Sequence, residues 1–195
     1  MNDALRRELL AMIERDYRVH EEIGPPELAS DPRLRTVHRQ NAARLAEIVE
    51  VEGWPTETFV GADGAFAAWR MVHHMVDQPQ FERAMLVRLQ RAAAEGRVEA
   101  WKAATLEDRI RASEGRPQRY GTQFGWDENG EYVPVPPIED PVHVDELRTA
   151  AGFPPIAEFT ELQRELSRRR PVPNRDEILR LRALFDEQCR LAGWR

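Results

Sequence analysis

A histidine with a carboxylate one helical turn away is among the simplest side-chain pairs that can move a proton near neutral pH. His74 and Asp77 stand at i, i+3 in this chain. The carboxylate would orient the ring and the imidazole would act as general base or acid. A second concentration of chemistry is the run Gly115-Arg116-Pro117-Gln118-Arg119-Tyr120-Gly121-Thr122-Gln123-Phe124. In an extended segment Gln118, Tyr120 and Thr122 share one face, and Arg119 and Gln123 share the other. Tyr120 would then donate to developing negative charge, with Gln118, Thr122 and Gln123 positioning a substrate. Arg109, near the end of the preceding helix, suits a carboxylate or phosphate held in bidentate fashion. The simpler alternative is structural: Asp108 and Arg109 close a buried ion pair, and the Gln and Thr side chains satisfy the backbone of a short ribbon.

Other chemistries have weaker support. His73, His74 and Asp77 are the obvious metal ligands, but neighbouring helical histidines point about 100° apart, and His20, His38 or His143 would have to complete a site. With no H-E-x-x-H helix, neither a metal nor a cofactor is expected. Cys189 falls on an apolar helix face, where a thiol is inert, and no Gly-x-Ser-x-Gly or phosphate-binding loop is present. Two further polar residues lie on apolar stripes. Asp16 needs a partner, for which a helix-face salt bridge with His20 or an arginine is the plain reading; His38 and Asn41 read as a satisfied polar pair in the core.

The 195 residues carry 34 acidic and 28 basic side chains, a formal net charge of −6, so nucleic acid and anionic lipid are disfavoured partners. One cysteine and a charged start without an apolar run point to a cytoplasmic protein with no membrane anchor.

Apolar periodicity predicts the elements that position these residues. Helices are expected over about 3–23, ending at Gly24-Pro25-Pro26, and from Ser30-Asp31-Pro32 to Gly53. After a short extended connector through Gly61, a helix over about 65–76 is apolar on nearly every side and so central. Further helices follow from Pro79 to Gly96 and over 97–113. Asn129-Gly130 between β-prone runs predicts a hairpin at about 118–135, with its second strand limited by prolines. Two short helices span 142–151 and 155–166; a linker at 167–173 then leads to a helix in 174–195 that packs back or docks on a second copy. The fold class is therefore mainly α, a single helical domain over 1–166 with a small hairpin and a C-terminal helical extension.

Gly53-Trp54-Pro55-Thr56, Ala67-Ala68-Trp69 leading to His74 and Asp77, Asp108-Arg109, Gln118-Arg119-Tyr120-Gly121-Thr122-Gln123 and Pro137-Ile138-Glu139-Asp140 together resemble an uncharacterised bacterial domain family of unknown function. The likeness covers about residues 5–165, with Tyr-Gly-Thr-Gln its most specific part. Family members commonly have Gln where this chain has His73, and Phe-Gln where it has Phe81-Glu82. The resemblance implies a mostly helical bacterial domain and supplies no activity. The expected function is a metal-independent bacterial enzyme that acts on a small polar or anionic molecule by acid–base chemistry. The alternative is a non-catalytic module binding a metabolite, a peptide or a partner protein, with a homodimer formed through the C-terminal helix.

Overall fold

The first apolar stripe becomes helix α1 (Asp3–Ile23) in the computed structural model, which describes residues 1–24, 31–169 and 171–195. Pro25 and Pro26, read from sequence as the breaker after α1, Ser30, read as part of the next helix start, and Arg170 of the linker lie outside the described residues. Asn2 caps α1 by accepting from the Leu5 N–H at 3.1 Å, and Leu5, Leu9, Met12, Ile13 and Asp16 form its buried face. Asp31 caps α2 (Pro32–Glu52), whose stripe of Leu34, Val37, Leu45, Ile48 and Val49 is interrupted by buried His38 and Asn41. Gly53, at φ 79°, ends it by donating to the Val49 carbonyl.

Helix α3 (Glu57–His74) is buried along most of its length through Val60, Ala65, Ala67, Ala68, Trp69, Met71 and Val72. The connector expected to be extended is instead a helical turn, because the Phe59 and Val60 N–H groups both donate to the Thr56 carbonyl. Gly61, at φ 77°, breaks the helix just after that turn. Helix α4 (Pro79–Ala94) follows, with Met85, Leu89 and Ala92 inward. Helix α1 lies mainly against α3, and α2 touches α1, α3 and α4. Fully burying side chains such as Leu9, Leu45, Met71 and Leu89 contributes about 1.5–3 kcal/mol each.

The chain divides into two compact units, Met1–Val98 and Glu99–Arg195. The second unit begins with α5 (Ala100–Ser113) and contains a two-stranded antiparallel hairpin of β1 (Phe124–Trp126) and β2 (Tyr132–Pro134), with Gly125 opposite Val133. Asp127 accepts from the Asn129 and Glu131 N–H groups and holds the turn whose glycine, Gly130, the sequence had marked. Helices α6 (Val144–Ala151), α7 (Ile156–Ser167) and α8 (Arg175–Ala192) complete it. Helix α8 belongs to this unit, burying Ile178 and Cys189, with Trp194 buried just beyond it. Among the described residues no helix is long and apolar enough to cross a membrane.

Candidate active site

The polar stretch after α5 does not form an extended strand. Asp108, on the buried side of α5, accepts from the Arg119 N–H at 2.7 Å, the Tyr120 N–H at 3.1 Å and the Thr122 N–H at 3.0 Å, and from the Thr122 hydroxyl at 3.0 Å. One carboxylate thus collects the main chain of residues 119–122. Such a wrap needs a left-handed residue in the middle, and Gly121 supplies it at φ 69°; a Cβ there would come within 2.7 Å of Ile138 Cδ1. Because of that reversal the expected alternation of faces fails.

Gln118 is fully buried. Its amide donates to the Gln123 and Pro136 carbonyls and accepts from the Gln123 N–H. Gln123 in turn donates to the Thr122 hydroxyl at 3.1 Å. Arg148, buried against Phe153 and Phe159, donates to the Tyr120 carbonyl. Gln118 and Thr122 therefore spend their side chains on this loop, as does Gln123 with its amide. The Tyr120 ring is half-buried, and burial, with Glu107 nearby, pushes its phenol above the ordinary value. Arg109 does not pair with Asp108, which is filled by main-chain donors; it lines a cavity beside the hairpin. Burial raises the Asp108 carboxyl, only partly offset by those donors.

His74 and Asp77 lie in the first unit, and the other five expected site residues lie in the second. The carboxylate expected to orient His74 was Asp77. The one that touches it is Asp16, whose Oδ2 accepts from His74 Nδ1. Asp77 instead accepts from His38 Nδ1 at 2.6 Å, and His38 Nε2 donates to Asp16 Oδ1 at 3.1 Å. The result is a continuous chain, Asp77–His38–Asp16–His74, joining α1, α2 and the end of α3. Asp77 falls just beyond α3, where the helix has ended, so the i, i+3 spacing no longer places it beside His74. The histidine doublet separates as helical geometry requires: the His73 ring lies 4.7 Å from Trp69, whereas His74 turns to Asp16.

The ionisation pattern follows from these partners. Burial works against the charge on His38, but a carboxylate at each ring nitrogen outweighs it and pushes His38 up to about 9. Burial likewise opposes ionisation of Asp16, which is only 1% exposed, yet the two imidazole donors hold its carboxyl well below the usual carboxylate range. His74 is pulled below the ordinary imidazole value, chiefly by burial, with Arg70 and His20 adding to it against the raising effect of Asp16. His38 is thus an imidazolium at neutral pH. The lowering favours the neutral ring for His74, and the Asp16 carboxylate at Nδ1 favours the tautomer that carries its proton there.

Its side chain keeps 13% exposure, beside the Tyr17 ring at 5.6 Å and the His20 ring at 4.9 Å. His20 donates from Nδ1 to the Asp16 carbonyl at 2.9 Å, so the helix-face pairing expected for it is made with the main chain, its ring nitrogen standing 3.6 Å from the Asp16 carboxylate. Asn41 is not paired with His38; it donates to the Met12 carbonyl and accepts from Arg15. Asp16, His20 and His74 could also hold a metal ion, since one ligand atom of each lies within 4.8 Å of the others. Such an ion would compete with the imidazole donors that already occupy both Asp16 oxygens. A cavity of about 420 Å³ in this unit opens on the side of Arg15, Asn41 and Arg44, and His74 does not line it.

Asp16 was marked in the sequence as an acid on an apolar stripe in need of a partner, and His38 as a core polar residue or as one of the histidines that would complete a metal site, but neither was linked to the other. Their common signal was burial of an ionisable group on helices with apolar neighbours; nothing in their spacing linked residues 22 apart.

A family model described as "Family of unknown function (DUF6624)" matches residues 3–167. The chain belongs to this family. The match takes in the whole histidine–aspartate chain and the loop around Asp108, and it stops at the end of α7, before α8. Comparison with the curated proteins and with the solved structures finds no match.

Proposed function

We propose that the first unit carries out acid–base chemistry on a small polar or anionic molecule, with His74 as the group that moves the proton and Asp16 as its orienting carboxylate. The observation that supports this reading is the buried Asp16 carboxylate held between the rings of His38 and His74, the first shifted up and the second down from the ordinary imidazole value. A neutral ring anchored through Nδ1 presents Nε2 as a base. When Nε2 takes a proton, the imidazolium forms against a carboxylate already in place, so little reorganisation is needed. His38, gripped by Asp77, occupies the other Asp16 oxygen and keeps Asp16 an acceptor, so that the proton stays on His74. Asp77 is then a positioning residue two steps removed from His74, and not its direct partner.

Long-range nitrogen–proton NMR of the imidazoles tests the protonation states. The expected spectrum at pH 7 has His38 protonated at both nitrogens and His74 protonated at Nδ1 alone. An activity screen across esters, amides, phosphoesters and enolisable carbonyl compounds tests the function, using the wild type beside His74→Gln and Asp16→Asn. The expected result is a turnover lost in both variants. A turnover that His74→Gln leaves intact would overturn the assignment.

The proximity of Asp16, His20 and His74 favours one other reading, in which a divalent ion sits on these three groups. The two readings part on chelation: the acid–base reading expects activity unchanged by EDTA, and the metal reading expects it abolished and restored by added Zn²⁺ or Mn²⁺.

A further inference from the structure

The hairpin, α5 and α8 border a half-open cavity of about 560 Å³ within the second unit, a volume in the range of small-molecule sites. Its walls are mostly apolar, with Phe124 and Trp126 from β1 facing Leu181 and Phe185 from α8. Three guanidinium groups also border it, in a protein whose net charge is −6. Two of them are engaged. Arg195 is paired with Asp186 at 2.6 Å, and Arg182 donates to the Trp126 carbonyl at 3.0 Å with Glu128 at 4.0 Å. The third, Arg109, makes no hydrogen bond or ion pair among the described residues, and its Nε, like that of Arg182, is buried without an acceptor.

A buried guanidinium N–H without an acceptor carries a desolvation cost that an anion in the cavity would offset. Its fork matches a carboxylate in bidentate geometry, while the aromatic walls suit an apolar body. We infer that this cavity binds an amphipathic monocarboxylate, its carboxylate on Arg109 and its aromatic or branched body between Phe124, Trp126, Leu181 and Phe185. The inference stands on the cavity alone and does not depend on the chemistry assigned to His74. Because α8 closes one side and lies outside the matched family region, the site would be a property of this chain's C-terminal extension.

Isothermal titration of the full chain with phenylbutyrate tests this, with phenylbutanol as the uncharged probe and acetate as the anion without a body. Phenylbutyrate is expected to bind the wild type at least about tenfold more tightly than phenylbutanol, with acetate giving no measurable heat. Arg109→Gln should bring phenylbutyrate down to the affinity of the alcohol, and Arg109→Lys should retain part of the difference. Leu181→Trp fills the cavity from a half-exposed position on α8 and should abolish binding while the helical circular dichroism stays that of the wild type. Equal affinity for acid and alcohol, undiminished binding by Arg109→Gln, or no phenylbutyrate binding to the wild type would each overturn the proposal.

Discussion

Asp16 is the residue on which the first unit's chemistry converges, and its replacement should be costly in a specific way. Asp16→Asn removes the charge between His38 and His74 and leaves a buried imidazolium with only Asp77. Breaking one side of a buried pair costs about 3–5 kcal/mol, which urea unfolding followed by circular dichroism would register. His74→Gln removes a partly exposed neutral ring and should cost no more than about 2 kcal/mol, so loss of activity in a folded protein separates the two roles. His38 makes a pH prediction with a definite sign. Its folded value of about 9 lies above the ordinary 6.5, so the folded state holds that proton more tightly than the unfolded chain. The contribution is complete below about pH 6.5 and is lost as pH rises through about 9, amounting to roughly 3 kcal/mol at most. Unfolding free energies measured from pH 6 to 9.5 should therefore fall, and His38→Gln should flatten the fall. Asp16 acts at the other end, its contribution present above the ordinary carboxylate value and lost as pH falls toward its depressed one.

At the scale of elements, the loop over residues 118–123 is a structural device built on α5. Asp108→Ala would strand the N–H groups of Arg119, Tyr120 and Thr122, each costing about 1–3 kcal/mol where it is shielded from water. The second unit should lose its cooperative melt, and Asp108→Asn, which keeps one acceptor oxygen, should recover part of it. Gly121→Ala should cost at least about 2 kcal/mol, combining the positive φ with a clash against Ile138 and Ile156. The helices, their caps and the hairpin turn were legible because each is set by neighbours within a few residues: Asp31 before Pro32, Gly53 after Val49, Asn129-Gly130 between aromatic runs. The 118–123 loop was legible as polar and glycine-bearing but misread as a strand. The carboxylate that shapes it comes from the preceding helix, and alternation along a strand carries no information about such an acceptor.

For the whole molecule, the division at Val98 and Glu99 predicts a fragment of residues 1–98 that keeps its own core of α1 to α4. Such a fragment is expected to be helical by circular dichroism, to unfold cooperatively, and to retain the His38 limb of the pH profile. Truncation after Ser167 should instead destabilise the second unit, since Ile178, Cys189 and Trp194 are buried there. The sequence by itself determined the mainly helical class, the hairpin, the family resemblance, and the presence of His74, Asp77, Asp16 and His38 as polar groups in apolar surroundings. Only the tertiary structure decided the pairing. Asp16 meets His38 and His74 because three helices bring together residues 22 and 58 positions apart. Asp77 leaves His74 because the helix ends before it. Helical periodicity gives the face on which a side chain stands, whereas the partner across that face is chosen by how the helices pack.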